Sequence, residues 1–194
     1  MARCREFDEQ EALRRARDLF WARGYAETSL DDLMQATGVC RQSLYNTFGS
    51  KAGLFAAAID DYRRSELEQM HALLQRDLPL RELLDSFLER VIGLMLKCGP
   101  HGCFFANTMV EKERVGAAAV AMVAQNSARY EQELCGVLER ARARGEAVTA
   151  KPAVDAARFL LNTMLGLSTL ARIAPDRDAM RRVAQVALDA VAPP

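Results

Sequence analysis

Apolar residues recur at helical spacing along most of the chain, and capping residues mark where each helix begins and ends. Thr28 and Ser29 precede the apolar stripe Leu30, Leu33 and Met34, and each is followed three residues later by an aspartate, which is the spacing of a capping box. Gly38 and Gly49 stand where a left-handed residue ends a helix most easily. The pattern predicts two short helices, the second over residues 41–48, and a third helix that begins at Lys51.

The remaining pattern also predicts helices. A first helix ends at Gly24, and the helix from Lys51 extends to about Gln75. Further helices begin after Pro79, near Phe104, at Ala117, after Pro152 and at Asp178. The last of these places Met180, Val183, Ala187 and Val191 on one face. Alanine, leucine, arginine and glutamate dominate, so the fold class is predicted to be all-α, with about nine helices.

The two short helices have the arrangement of a helix-turn-helix, whose second helix lies in the DNA major groove. Arginine reads guanine, glutamine or asparagine reads adenine, and serine and threonine contact either base. These side-chain types occupy the outward positions of helix 41–48: Arg41, Gln42, Ser43, Asn46 and Thr47. The alternative interpretation is a solvated polar face on a small helix.

Residues 28–54 resemble the DNA-binding signature of the TetR family of bacterial repressors, roughly T-x-x-x-I-A-x-x-A-G-V-x-x-x-x-L-Y-x-x-F-x-x-K-x-x-L. The matching positions are Thr28, Ala36, Gly38, Val39, Leu44, Tyr45, Phe48, Lys51 and Leu54. Leu33-Met34 replaces the usual Ile-Ala, and Gly53 replaces a better helix former. The resemblance implies that Thr28, Tyr45 and Lys51 contact DNA phosphate. It also implies a DNA-binding domain over residues 1–53 and an effector-binding and dimerisation domain over residues 54–194.

The last two helices indicate how the chain associates. The segment Phe159–Leu170 is apolar on nearly every side, and a monomer of 194 residues has few places to bury it. In the family that the chain resembles, the last two helices pack against their twofold mates as a four-helix bundle. A homodimer would place two recognition helices on successive major grooves of an inverted-repeat operator. The alternative is a core helix within one chain.

The resemblance further implies a small-molecule effector bound inside the C-terminal helices. Methionine and phenylalanine suit an adaptable, largely apolar pocket. The predicted lining comprises Phe87, Met95, Phe104, Phe105, Met109, Met122, Tyr130 and Met164. The same residues at helical spacing are also compatible with an ordinary core.

Composition limits other functions. The formal net charge is zero, so any attraction to DNA must come from a local face. No secretory signal or membrane-spanning stretch is visible, which predicts a cytoplasmic protein without membrane contact. No phosphate loop, dinucleotide fingerprint, HExxH or nucleophile elbow is present, so we expect no enzyme and no cofactor. A helical enzyme or interaction protein with a vestigial helix-turn-helix is the remaining alternative.

The cysteines raise one further possibility. Five irregularly spaced cysteines favour reduced thiols over a disulfide framework. Cys103 stands at a predicted helix start near His101, where its thiol could sense oxidants or electrophiles, together with Cys98. Cys98, His101 and Cys103 could also bind zinc or copper, although the spacing is unusual and no fourth ligand is evident. The plainest interpretation is that Cys103 is a small packing residue, and we expect no metal.

Overall fold

In a computed structural model that describes residues 7–194, every regular element is helical, which confirms the predicted all-α class. A short π-helix, Arg63–Leu67, leads directly from α4 into α5, so α4 and α5 count as one long helix. The described residues then hold nine α-helices, as predicted. The bounds are α1 Glu9–Arg23, α2 Leu30–Thr37, α3 Arg41–Phe48, α4 Lys51–Tyr62, α5 Glu68–Leu74, α6 Leu80–Cys98, α7 Phe104–Val110, α8 Ala117–Ala143, α9 Ala153–Ile173 and α10 Arg177–Val191.

The helix-turn-helix, α2 and α3, has the caps that the sequence predicts. The Ser29 side chain accepts from the Asp32 N–H, and the Asp32 carboxylate accepts from the Ser29 N–H, which completes the capping box. Gly38 ends α2 in the left-handed conformation, at φ 73°. The Ser50 side chain caps α4 by accepting from the Gly53 N–H. Local sequence therefore determines where these short helices begin and end.

The chain divides into two compact units. The first contains the described residues up to Ser65 together with residues 104–124, and the second contains residues 66–103 and 125–194. The domain boundary between residues 53 and 54 stays a prediction.

Aromatic side chains form the core of the first unit. The Phe20 and Phe55 ring centroids lie 5.0 Å apart edge to face, and the Phe55 and Phe104 centroids lie 5.5 Å apart. Phe104 also stacks on Trp21 and meets the edge of Tyr62. These contacts fix α7 against α1 and α4.

The three-helix core of the first unit matches the predicted one in most positions. The predicted members Leu13, Ala16, Phe20, Leu33, Val39 and Leu44 are buried. Leu30 and Phe48 are only half-buried, because they lie near the ends of short helices.

Helix α6 is the centre of the second unit and contacts α5, α9 and α10. Its buried face includes Leu84, Phe87, Leu88, Val91 and Ile92. The N-terminus of α6 is held by Glu146, whose carboxylate accepts from the Leu80 N–H. This hydrogen bond, followed by that from Arg144, lowers the pKa of Glu146.

Candidate nucleic-acid interface

Helix α3 presents a polar surface to solvent. Of the side chains predicted to read bases, Arg41, Gln42, Asn46 and Thr47 are exposed and Ser43 is half-buried. Leu44 is buried and anchors the opposite side of the helix. The Gln42 Nε2 donates to Asn46 Oδ1 at 2.9 Å, so the two amides are paired one helical turn apart. The arrangement can offer amide and guanidinium groups to base edges.

Arg41 has a weak partner in the adjacent helix. Its guanidinium lies 3.6 Å from an Asp31 carboxylate oxygen, and both side chains are well exposed. Exposed ion pairs contribute only about 0–1 kcal/mol, so Arg41 can exchange this partner for DNA at small cost.

Lys51, at the start of α4, is more constrained than its position suggests. Its ammonium lies 4.2 Å from the centroid of the Tyr25 ring, a cation–π contact. Burial lowers the pKa of Lys51, while the nearby carboxylates of Glu111 and Glu27 oppose that change. A lysine at a helix N-terminus has the unfavourable sign for the helix dipole. The two carboxylates therefore supply internal negative charge that the sequence pattern did not reveal.

The remaining two predicted DNA contacts differ from each other. Tyr45 is exposed, with 39% of its surface accessible. Thr28 is fully buried, and its hydroxyl donates to the Gly24 carbonyl at 2.7 Å. Its side chain thus closes the turn between α1 and α2 and is turned away from solvent, and the phosphate contact of Thr28 stays a prediction.

The predicted effector-lining residues do not form one cluster within either unit. Phe104, Phe105, Met109 and Met122 belong to the first unit, and Phe87, Met95, Tyr130 and Met164 to the second. Phe104 is part of the aromatic core, and Met109 is 37% exposed. In the second unit Phe87 and Tyr130 lie within 6.2 Å of each other, centroid to centroid. The assignment of all eight to a ligand pocket stays a prediction.

A buried polar cluster in the second unit was missed by sequence reasoning. His71 is fully buried, with Nδ1 2.5 Å from Glu133 Oε2 and Nε2 3.2 Å from Asn126 Oδ1. The imidazole stacks on Tyr130, and the Tyr130 hydroxyl donates to the Met70 sulfur. The pKa of Tyr130 is raised chiefly by burial and further by the nearby Cys103 and Glu133, so its phenol stays protonated. The partners are 55 and 62 residues from His71, so no local spacing could have revealed them.

The cysteines are only partly as expected. Cys98, Cys103 and Cys135 are outside any disulfide, whereas Cys40 is disulfide-bonded, so the expectation of reduced thiols is wrong at Cys40. Cys4 lies outside the described residues. Cys103 is half-exposed and directly precedes α7. Among residues 7–194, no group of three potential metal ligands comes together, so the zinc alternative for Cys98, His101 and Cys103 has no structural support.

Helices α9 and α10 carry a second outward surface of a different character. Their inward sides are buried through Leu160, Leu167, Met180 and Leu188. Their outward sides leave large apolar side chains exposed, namely Phe159 at 45%, Leu165 at 48%, Ile173 at 78%, Val183 at 45% and Val186 at 69%. The sequence pattern placed Val183 on one face of α10 with Met180, Ala187 and Val191; those three are buried, whereas Val183 is exposed. In the described part of the chain, no helix is both long and apolar enough to cross a membrane.

Comparison with known proteins agrees with this architecture. Residues 12–58 match the family described as "Bacterial regulatory proteins, tetR family", and residues 80–187 match "Tetracyclin repressor-like, C-terminal domain". The uncharacterized HTH-type transcriptional regulator YezE of Bacillus subtilis (strain 168) is 30% identical over 190 residues, covering 97% of this chain and 98% of YezE. The HTH-type transcriptional repressor ComR of Escherichia coli (strain K12) is 30% identical over 188 residues, covering 96% of this chain and 90% of ComR.

A solved structure is similar over the same length. A cysteine mutant of the TetR family regulator CifR, complexed with 26-bp double-strand operator DNA, superposes with a TM-score of 0.82 at 28% identity. The match covers 97% of this chain and 99% of the CifR chain. Both family matches and the full-length relatives exclude the alternative of a helical enzyme. The chain belongs to the TetR family of bacterial transcriptional regulators.

Proposed function

We propose that this protein is a homodimeric transcriptional repressor that binds an inverted-repeat operator and is released by a small-molecule effector. The observation that carries the proposal is the outward face of α3, where Arg41, Gln42, Asn46 and Thr47 are exposed on a helix anchored by Leu44. ComR is a repressor and CifR is complexed with operator DNA, which supports the same activity here. Such regulation of transcription implies a cytoplasmic protein.

The proposed dimer rests on the outward face of α9 and α10. Phe159, Leu165 and Ile173 lie on one side of α9 at helical spacing, and Val183 and Val186 do so on α10. Moving a large apolar side chain from full exposure to full burial contributes about 1.5–3 kcal/mol, and each of these partly exposed side chains would gain the corresponding fraction of that. A second copy covers this face and places two α3 helices roughly 34–36 Å apart, one for each operator half-site.

The proposed effector binds among the C-terminal helices. Around Tyr130 the second unit combines the apolar ring of Phe87 with polar groups from His71 and Asn126. This chemistry suits a largely apolar molecule that carries one polar group. Release requires that the effector bind the DNA-free conformation more tightly than the DNA-bound one.

The test of the repressor is the binding of the purified full chain to DNA that flanks its own gene, titrated against salt. Specific binding to an inverted repeat, with affinity that falls steeply as salt rises, is the expected result. The Arg41→Ala variant should lose preference for that repeat. The control is Arg114→Ala, which removes an equal charge from an exposed position outside α3. Equal affinity of the wild type for the repeat and for random DNA would refute the proposal.

A second candidate trigger is modification of the Cys103 thiol. Cys103 is half-exposed and lies close enough to Tyr130 to raise the pKa of its phenol. Addition of the thiolate to an electrophilic alkene forms one S–C bond and places bulk where the chain enters α7. The alkene carbon then takes a proton from water, and no group leaves.

Cys103→Ser and Cys135→Ser are the matched pair for this candidate, because both remove a thiol that is outside any disulfide. N-ethylmaleimide should release operator DNA from the wild type and from Cys135→Ser. If Cys103→Ser is released equally well, the trigger is not Cys103.

A further inference from the structure

Glu111, just beyond α7, holds the turn that connects α1 to α2. One carboxylate oxygen accepts from the Tyr25 N–H at 2.9 Å, and the other accepts from the Ala26 N–H at 2.7 Å. Two consecutive backbone donors thus converge on a single carboxylate. Charge-assisted hydrogen bonds of this kind are stronger than neutral ones.

The turn is shaped to admit this carboxylate. Gly24 has φ 86°, in the region that favours glycine. A Cβ built on Gly24 would lie 2.5 Å from Glu111 Oε1, so a larger residue would have to displace the carboxylate from this place. Both the conformation and the space at residue 24 therefore depend on glycine, and the space is occupied by Glu111.

The same carboxylate is connected to the proposed DNA surface through Lys51. Tyr25, whose N–H is bound by Glu111, places its ring 4.2 Å from the Lys51 ammonium. Of the two carboxylates that oppose the lowering of the Lys51 pKa by burial, Glu111 has the larger effect. Lys51 begins α4, three residues after α3 ends. The other end of α7 is fixed by Phe104 against Phe55.

We propose that Glu111 is a positioning residue for DNA binding. Its carboxylate holds the turn at Tyr25, and the Tyr25 ring in turn holds the Lys51 ammonium in the position from which Lys51 binds a phosphate of the DNA backbone. The inference rests on the proposed operator binding. Glu111 itself does not touch DNA, because its charge has the same sign as the phosphates. The hold depends on where α7 lies against α4, since Glu111 directly follows α7.

The test compares Glu111→Ala and Glu111→Gln with Glu113→Ala in the full chain. Glu113 has the same charge, and 86% of its side chain is exposed. We expect Glu111→Ala to bind the operator about tenfold more weakly. Glu111→Gln keeps one acceptor oxygen and should fall between the wild type and Glu111→Ala. Glu113→Ala should match the wild type.

A double variant tests whether Glu111 acts through Lys51. A phosphate contact is independent of base sequence, so Glu111→Ala should weaken binding to operator and to random DNA by a similar factor. If Glu111 acts by positioning Lys51, the double variant Glu111→Ala, Lys51→Ala should bind no more weakly than Lys51→Ala alone. A merely structural role would add its own loss to that of Lys51→Ala, and additive losses in the double variant would overturn the proposal.

Nuclear magnetic resonance adds a measurement that needs no DNA. The Tyr25 ring current should shift the Lys51 ε-methylene signals in wild type and in Glu113→Ala, and the shift should vanish in Glu111→Ala. An unchanged shift, with operator affinity also unchanged, would overturn the role of Glu111 alone. Failure of the wild type to prefer any inverted repeat would instead overturn the proposed repressor, on which this role rests.

Discussion

The outward face of α3 and the outward faces of α9 and α10 are both exposed, yet they differ in chemistry. The α3 face is polar, with Arg41, Gln42, Asn46 and Thr47 accessible to water. The α9 and α10 faces expose Phe159, Leu165, Ile173, Val183 and Val186. Water solvates the first surface well and the second poorly.

This difference indicates how long each surface stays covered. A polar face is stable in water, so its partner can bind and dissociate, as a regulated DNA contact requires. Apolar side chains over two neighbouring helices favour a lasting partner, and large exposed apolar patches are uncommon on monomers. The four predictions that follow test this contrast, from the largest expected effect to the smallest.

The largest effect should come from charging the apolar face. Leu165→Glu combined with Val186→Glu should convert the dimer to monomers and weaken operator binding by at least about 100-fold, since each half-site would then be bound alone. Sedimentation equilibrium and operator titration measure the two effects. Gln132→Glu adds one of these charges at an exposed position of α8 and should leave the dimer intact. A stable dimer in the double variant would contradict the contrast.

Next in size is the loss of base contacts from the polar face. Arg41→Ala and Asn46→Ala should each cost about 1–3 kcal/mol of operator binding and relax the base preference at one position. Binding to operators with single base changes measures the effect. Dimerisation should be unaffected, because α3 lies outside the apolar face. Equal losses on operator and on random DNA would argue against base reading by that residue.

Removal of the Lys51 charge should have a smaller and less selective effect. Lys51→Ala should weaken binding to every DNA sequence by a similar factor and reduce the salt slope by about 1, because one phosphate contact is lost. Lys112→Ala is the control, since Lys112 is exposed and pairs only loosely with Glu113, at 3.8 Å. An unchanged salt slope in Lys51→Ala would place Lys51 away from the phosphates.

The smallest expected effect is on the free energy of unfolding and involves neither of the two surfaces. The pKa of Glu146 is lowered in the folded chain, first by the Leu80 N–H. Its stabilising contribution is therefore present above the unfolded pKa of about 4.3 and is lost as pH falls through the lower folded value. Glu146→Gln should cost less than about 1 kcal/mol at pH 7 and nothing at pH 2. Thermal melts across this range should converge at the acid end.

Local chemistry in the sequence was sufficient to predict where the helices begin and end. The capping box of Ser29 and Asp32, the left-handed Gly38 and the stop at Gly49 placed α2 and α3 at their observed bounds, because these signals act within a few residues. The exposed residues of α3 followed from helical spacing once Leu44 was taken as the inward position. Family membership followed from the same stretch.

What the sequence could not predict are contacts between residues far apart in the chain. Glu111 meets Tyr25 across 86 positions and His71 meets Glu133 across 62, and neither pair has a spacing that any local period would reveal. The exposure of single residues also depended on tertiary packing. Thr28 is buried with its hydroxyl bound to the Gly24 carbonyl, and Val183 is exposed on α10. Caps and periodicity are properties of neighbouring residues, whereas burial and charge pairing depend on which helices pack together, and only the tertiary structure decides that.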